Sequence, residues 1–243
     1  NFVASDQMAL IDITKKFILL DEGDIADITI DSVKVFNKNG TQVERKMITS
    51  KLKHGQVDLG EYKHYMQKEI FEQPQAIRDT LESRVNKERV LVSSFGHNAE
   101  EIFNKIKQIQ IIACGTSYHA GLVAKYWLED IAKVPTHIEV ASEYRYRNPI
   151  VLDNTLFITI SQSGETADTL EALRAVKKIN SKTKTLTICN SAESSLTRES
   201  DISFLTHAGP EIGVASTKAF TTQLVSLSLL VTAVGRVKNT IST

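Results

Sequence analysis

The segment Ser-Gln-Ser-Gly-Glu-Thr, residues 161–166, directly follows an apolar run and directly precedes a helical pattern. It holds five hydroxyl, amide and glycine residues and neither lysine nor arginine. Small residues let the backbone approach a ligand, hydroxyl groups donate hydrogen bonds, and the free amides at the start of the next helix favour an anion. This SQSGET loop therefore predicts a phosphate site formed by Ser161, Gln162, Ser163 and Thr166.

A second polar segment, the CGTS segment (residues 114–117), follows the strand-like run IQIIA and precedes another helical pattern. One such loop has a simple structural explanation, because Thr166 suits the N-cap position of a helix. Two polar segments at equivalent strand-to-helix junctions are harder to explain by capping alone. We therefore expect Cys114, Thr116 and Ser117 to face the same crevice as the SQSGET loop.

The elements that must position these segments begin near Glu100, where β-rich runs alternate with amphipathic helical patterns. This alternation predicts an α/β fold, a doubly wound parallel sheet with helices on both faces. Ligands of such sheets bind beyond the carboxyl ends of the strands, and both polar segments lie at that edge.

The rest of the chain predicts two other regions. Residues 1–50 contain short strand patterns, including FVAS and a hairpin at NKNG, and are expected to be the β-hairpin-rich tail of a domain. Residues 51–99 form a partly helical connecting region, with two helical pieces joined at Pro74. Residues 100–241 form the α/β domain.

The helix over residues 217–236 is apolar on most faces, so a second domain or a partner subunit is expected to cover it.

Other candidate residues have a structural interpretation that is at least as plausible. In the segment over residues 211–223, Gly213 and Ser216 precede a helix, and Lys218 is expected to be a solvated lysine rather than a catalytic one. Cys114 is a reactive thiol or a small buried side chain. His119 could approach the ligand.

Glu165 is a general base or a solvated loop carboxylate. None of the six histidines has metal-ligand spacing with another, so no metal site is expected.

Composition excludes several function classes. Lys+Arg 29 balances Asp+Glu 29, so no broad basic field is available for nucleic acid or a membrane surface. The apolar stretch over residues 224–234 is shorter than the roughly 20 residues that span a bilayer. No Walker motif or three-glycine fingerprint is present, which favours a small phosphorylated molecule over a nucleotide.

Two features predict the cellular compartment of the protein and the extent of the chain. Two cysteines without disulfide density favour a reducing compartment, and we expect the cytoplasm. The opening NFVASDQMAL has neither an initiator methionine nor a signal sequence, so we expect a piece of a longer protein.

Five segments together resemble the glutamine:fructose-6-phosphate amidotransferase family, the glucosamine-6-phosphate synthases, along the whole chain. They are YKHYMQKEIFEQP, ACGTSYHAG, IEVASEYRYR, ITISQSGETADTLEALR and ESDISFLTHAGPEIGVASTKAFTTQ. SQSGET alone would indicate only the wider sugar isomerase (SIS) fold, whereas HYMQKEI with EQP and GVASTKAFTTQ is specific to the synthases.

The resemblance implies a role for each region and for named residues. Residues 1–50 would end a glutaminase-type domain, residues 51–99 would join it to the isomerase half, and residues 100–241 would form the first of two SIS domains. In the family, two residue groups contact the ligand and two more residues line the site. The positions that match the sugar-phosphate contacts are Ser117, Ser161, Gln162, Ser163 and Thr166; those that match sugar contacts are Val214 and Ser216; those that match the lining are Cys114 and Thr116.

The family's activity sets the remaining expectations. Such enzymes convert fructose 6-phosphate and glutamine to glucosamine 6-phosphate and glutamate, without a metal or organic cofactor, and the whole protein is expected to be a homodimer. The family's nucleophilic cysteine and the isomerase acid and base residues match no position here, so we expect this chain alone to be inactive. The alternative is a regulatory SIS module that senses a sugar phosphate.

Overall fold

The computed structural model describes residues 1–4, 7–11, 13–50, 59–87 and 89–241. The chain divides into two compact units, Asn1–Asp58 and Leu59–Thr243. The predicted boundary at residue 50 borders residues 51–58, which lie outside the described residues, and the predicted domain boundaries stay predictions.

The first unit consists of short antiparallel strands, as its sequence pattern predicts. The strands are β1 (Lys16–Ile18), β2 (Ile25–Ile28), β3 (Val33–Phe36), β4 (Gln42–Val43) and β5 (Met47–Thr49). β1 pairs with β5, and β2, β3 and β4 form a three-stranded sheet. In the hairpin turn between β3 and β4, the Asn37 side chain accepts hydrogen bonds from the amides of Asn39 and Thr41, and Gly40 has a φ of 75°.

The strand predicted for FVAS is wrong over its described residues. Phe2 and Val3 are exposed, at 61% and 75%, and residues 2–4 do not form a strand. The neighbouring Asn1 instead donates its side-chain amide to the carbonyl of Thr29, at 2.7 Å. A β-rich pattern forms a strand only where a partner strand is in reach.

The second unit alternates strands and helices around one sheet. Its elements are α1 (Tyr65–Leu81), α2 (Ala99–Lys105), β6 (Gln108–Ala113), α3 (Gly115–Asp130), β7 (Thr136–Val140), α4 (Ala141–Tyr146), β8 (Thr155–Ile160), α5 (Ala167–Ile179), β9 (Lys184–Cys189), α6 (Ser195–Glu199), β10 (Ile202–Leu205) and α7 (Lys218–Val237). The five strands pair in parallel in the order β10-β9-β8-β6-β7.

Both faces of this sheet are covered, which confirms the predicted α/β class. Successive strand residues point to opposite faces. Ile111 of β6 therefore packs with α3 and α7, whereas Ile112 packs with α4, α5 and α6. All six residues of β8 are buried, as expected for a central strand with helices on both sides.

Pro74 lies inside a single continuous helix, so the predicted break into two helical pieces is wrong. A proline within a helix leaves the carbonyl four residues earlier without its usual donor. Here that carbonyl belongs to Ile70, and the side-chain amide of Gln73 donates to it at 3.0 Å. This bond, together with packing of α1 on α7, keeps the helix continuous.

Helix α7 is a core helix of this chain. Twelve of its residues are buried, including Leu227, Leu230 and Val234, and α1 and α3 pack against it. These helices of the same chain bury part of α7, and the expectation that a second domain or partner subunit covers it stays a prediction. Among the described residues, α7 is the one helix long and apolar enough to cross a membrane by length and composition, and 56% of its most apolar window is buried.

Arg84 and His207 lie in contact at the edge of this core. The Arg84 guanidinium carbon lies 4.1 Å from the centre of the Phe204 ring, and Arg84 Nη2 lies 3.3 Å from His207 Nδ1. Burial lowers the pKa of Arg84 to about 10. Burial and the Arg84 charge also lower the pKa of His207, against the opposing effect of nearby Asp79 and Glu82.

We expect the second unit to lose stability as the pH falls. The folded pKa of His207 is below its ordinary 6.5, so the unfolded chain binds more protons near that pH and the free energy of unfolding decreases below it. His207→Asn should flatten this pH dependence, because it removes the titrating imidazole. Asparagine is chosen because it tolerates the left-handed backbone that His207 adopts at a φ of 52°. Urea unfolding of both proteins from about pH 5 to 7.5 measures the two slopes. Equal slopes would contradict the assignment to His207.

Candidate anion-binding site

The sheet order places the two polar segments side by side. Numbered by their order in the chain, its strands run 2-1-3-4-5, so the order reverses between β6 and β8. Ligands of open α/β sheets bind in the crevice at such a switch point, beyond the carboxyl ends of the strands. Ala113 of β6 pairs with Ile160 of β8, so Cys114 and Ser161 begin two adjacent segments.

The SQSGET loop is held by its own hydroxyl groups. Ser161 is 2% exposed, its Oγ accepts a hydrogen bond from the Gly164 amide at 3.0 Å, and it lies 2.9 Å from Thr166 Oγ1. Ser163 Oγ accepts from the Glu165 amide at 3.1 Å. Thr166 occupies the N-cap position of α5, but its side chain makes no capping hydrogen bond. Side-chain capping by Thr166 therefore does not account for this loop.

The helix that follows supplies the positive end of a dipole. The first amides of a helix have no partner within the helix, and an anion at this end is stabilised. Helix α5 has 13 residues and begins at Ala167, directly after the loop. Backbone amides, hydroxyl groups and a helix dipole thus converge at residues 161–167, which is a suitable environment for a phosphate dianion.

Gly164 lets the SQSGET loop turn tightly against the segment before α6. Its φ is 71°, and its carbonyl accepts from the Leu196 amide at 3.2 Å. A Cβ at this position would lie 2.1 Å from Ser194 Oγ, which is too close for any side chain. Ser194 is itself fixed as the N-cap of α6, where its hydroxyl accepts from the Thr197 amide.

The CGTS segment contributes the start of α3. This helix begins at Gly115, so Thr116 and Ser117 belong to its first turn. Ser117 is buried and Thr116 is exposed, whereas Cys114 is half-buried with a free thiol. The structure thus places the second polar segment at a helix N-terminus beside the first one.

Two glutamates that the sequence patterns did not single out hold the segment over residues 211–217. Glu211 Oε1 accepts from the amides of Thr217 and Ala219, at 2.9 and 3.0 Å. Glu69 of α1 accepts from the amides of Ile212 and Gly213, at 2.6 and 2.9 Å.

The two residues of this segment that were predicted to contact sugar differ in exposure. Val214 is fully exposed, at 107% of the reference area. Ser216 is half-buried and donates its hydroxyl to Glu211 Oε2 at 3.2 Å.

Lys218 is buried, so the prediction of a solvated lysine is wrong. It is 4% exposed, and its Nζ lies 2.5 Å from Glu72 Oε2 of α1. The pattern placed it correctly in the first turn of α7 but could not show that α1 covers that turn. A buried ammonium requires a charged partner, and Glu72 is that partner.

Glu165 and His119 are both exposed, and their alternative roles stay predictions. Glu165 is exposed, and its Oε1 accepts from the Ser195 amide at 2.6 Å. His119 is exposed on α3, with its ring centre 5.6 Å from that of Tyr118. Within the described ranges, no group of three or more histidine, cysteine, aspartate and glutamate side chains could hold a metal ion.

Asn190 is a further residue of the site that sequence reasoning missed. Its amide donates to the carbonyl of Gln162 at 3.1 Å, and its side chain donates to the carbonyl of Gly209 at 2.7 Å. Its Oδ1 accepts from the Ala208 amide at 2.8 Å. Asn190 therefore joins the SQSGET loop to the chain that leads into the 211–217 segment. The available signal was its position directly after β9, at the same carboxyl edge.

The fold and the polar segments at this edge of the sheet are those of a known protein family. The sequence pattern of the SIS domain family matches residues 102–233, and the chain belongs to this family. Over 242 residues it is 54% identical to the glutamine–fructose-6-phosphate aminotransferase [isomerizing] of Aliivibrio fischeri, and equally to the one of Haemophilus influenzae. All of this chain is covered in both comparisons, and it spans 40% of the length of each relative.

A solved structure supports the same relationship. The C-terminal domain of glucosamine-fructose-6-phosphate aminotransferase from Francisella tularensis is 53% identical, with a TM-score of 0.74. The match covers 76% of this chain and 52% of that one. The predicted resemblance to the aminotransferase family is thereby confirmed.

Proposed function

We propose that this chain is the sugar-phosphate-binding part of an isomerizing glutamine–fructose-6-phosphate aminotransferase, with fructose 6-phosphate or glucosamine 6-phosphate as its ligand. The observation that carries the proposal is the pair of polar segments at the switch point, where Ala113 and Ile160 end adjacent strands. The names of the relatives support the identity of the sugar.

The phosphate would bind at the SQSGET loop and at Ser117. Serine and threonine hydroxyl groups and the first amides of α5 would donate to its oxygens. Val214 and Ser216 would contact the sugar, as the family resemblance implies, and Cys114 and Thr116 would line the site.

The chain should bind fructose 6-phosphate but not fructose, because most of the affinity would come from groups that donate to the phosphate. Calorimetric titration with the two compounds at equal concentration measures this difference. Glucose 6-phosphate serves as a third ligand that keeps the phosphate and changes the sugar. Equal binding of fructose and fructose 6-phosphate, or no binding of the phosphosugar, would contradict the proposal.

The same relatives support a proposal for the activity and assembly of the whole protein. It would take glutamine as its nitrogen donor through a glutaminase domain, transfer the nitrogen to fructose 6-phosphate, and assemble as a homodimer. A cytoplasmic location is supported by the free thiols of Cys114 and Cys189, the state that a reducing compartment favours.

A further inference from the structure

We propose that Glu69 of α1 is a positioning residue for sugar recognition. Its carboxylate would hold the 211–217 segment in the conformation that presents Val214 and Ser216 to the sugar. This inference rests on the proposed function, because it takes the sugar end of the ligand to lie at this segment.

The Glu69 side chain makes three hydrogen bonds to the segment. Its Oε1 accepts from the amides of Ile212 and Gly213, at 2.6 and 2.9 Å, and its Oε2 accepts from Thr217 Oγ1 at 3.2 Å. Glu69 is 2% exposed, so these bonds replace the water that a carboxylate otherwise requires. The two ends of the segment are thus fastened to one buried group.

Gly213 shows how closely the segment approaches this carboxylate. A Cβ on Gly213 would lie 2.6 Å from Glu69 Oε2 and 3.5 Å from the Cα of Met66. A side chain at this position would therefore push the Glu69 carboxylate away and weaken the bonds that the two amides donate to it.

The position of Val214 depends on these bonds. Its side chain is fully exposed and is therefore not held by packing. The backbone of Ile212 and Gly213 sets where Val214 stands, and Glu69 sets that backbone. Ser216 is held through Glu211. The Thr217 hydroxyl lies 3.2 Å from both Glu211 Oε1 and Glu69 Oε2, so the two carboxylates share its one proton.

The rest of the facing surface of α1 serves packing and gives a matched control. Glu72 pairs with Lys218, and Gln73 Oε1 accepts from Thr221 Oγ1 at 2.5 Å. These contacts fasten α1 to the body of α7 without touching the amides at residues 212 and 213. Glu72→Gln removes the charge partner of Lys218 but keeps an oxygen that can accept from its ammonium group, and it leaves the bonds between Glu69 and the segment in place.

The first experiment titrates this chain with fructose 6-phosphate and with inorganic phosphate. Glu69→Ala should weaken fructose 6-phosphate binding about tenfold, because the segment loses its pre-organised conformation. Its affinity for inorganic phosphate should stay within about twofold of the parent, because residues 161–167 are unchanged. Glu69→Gln keeps an oxygen acceptor and should recover most of the loss. Glu72→Gln should bind both ligands as the parent does.

The second experiment needs no ligand. Hydrogen exchange of the Ile212 and Gly213 amides should accelerate in Glu69→Ala and remain at the parent rate in Glu72→Gln. Gly213→Ala should mimic Glu69→Ala in sugar-phosphate binding, and the double variant should be no weaker than either single one, since both changes break the same contact.

The outcomes separate this inference from the function on which it rests. If the parent chain binds fructose 6-phosphate and Glu69→Ala binds it equally well, the positioning role is wrong and the proposed function stands. Equal losses for fructose 6-phosphate and inorganic phosphate would show a general structural role and also overturn the inference. A parent chain that ignores fructose 6-phosphate overturns both, and unchanged amide exchange in Glu69→Ala overturns the inference alone.

Discussion

Gly164→Ala is expected to destabilise the second unit by about 3 kcal/mol. Of this, about 1 kcal/mol is the cost of an alanine in the left-handed backbone region, and about 2 kcal/mol is the cost of overpacking. The new Cβ would lie 2.1 Å from Ser194 Oγ and 2.4 Å from Ser194 Cβ. Ser194 cannot move away easily, because its hydroxyl caps α6 and it is 2% exposed. The loop must shift instead, and this shift breaks the bond between the Gly164 amide and Ser161 Oγ. Urea unfolding at neutral pH measures the loss.

Gly115→Ala is the matched control for this change. Gly115 has a φ of 56°, in the same backbone region, and a Cβ there would meet nothing within 4 Å. It should therefore lose only the backbone contribution, about 1 kcal/mol. If Gly164→Ala were no less stable than Gly115→Ala, the tight contact with Ser194 would not be a constraint on the loop.

The class of the second unit could be predicted because its signals are local. An apolar strand pattern followed by a helical pattern is visible within about 25 residues of sequence. The order of the strands is not local, and neither is the pairing of Ala113 with Ile160 that brings the two polar segments together. The sequence predicted which edge of the sheet carries the site, and the strand order supplied the adjacency.

Two wrong predictions, at Pro74 and Lys218, depend on packing between parts distant along the chain. Pro74 breaks a helix in isolation, yet a neighbouring glutamine and the contact with α7 keep α1 continuous. Lys218 has the pattern of an exposed first turn, and only the position of α1 shows that it is buried against Glu72. Part of the apolar surface of α7 packs against α1 and α3, which the local pattern of the helix could not show.

The same difference between local and long-range contacts separates the site residues that could be predicted from those that could not. Ser161 and Thr166 were identifiable because they lie in a short polar segment between a strand pattern and a helical pattern, and the structure places their hydroxyl oxygens 2.9 Å apart. Glu69 was not, because its partner Ile212 lies 143 residues further along the chain. Asn190 was missed because a single asparagine after a strand has many structural explanations.

Ser161→Ala combined with Ser163→Ala is expected to weaken fructose 6-phosphate binding about a hundredfold or more. Hydrogen bonds to a charged group contribute about 1.5 to 3 kcal/mol each, so losing two removes roughly 3 kcal/mol or more. The Ser161 hydroxyl also accepts from the Gly164 amide and lies 2.9 Å from Thr166 Oγ1, so its loss loosens the loop around the phosphate. Selectivity for the phosphosugar over fructose should decrease in the same variant. Ser228→Ala is the control, because Ser228 is exposed on α7 and its hydroxyl donates to the Val225 carbonyl of the same helix.

The measurement that tests the phosphate site most directly is a calorimetric titration of the parent chain, the double serine variant and Ser228→Ala with fructose 6-phosphate. The parent and Ser228→Ala should bind equally, and the double variant should bind about a hundredfold more weakly or not measurably. Circular dichroism of the variant should match the parent, which shows that the fold is intact. Should the folded double variant bind fructose 6-phosphate as tightly as the parent, the SQSGET loop does not hold the phosphate.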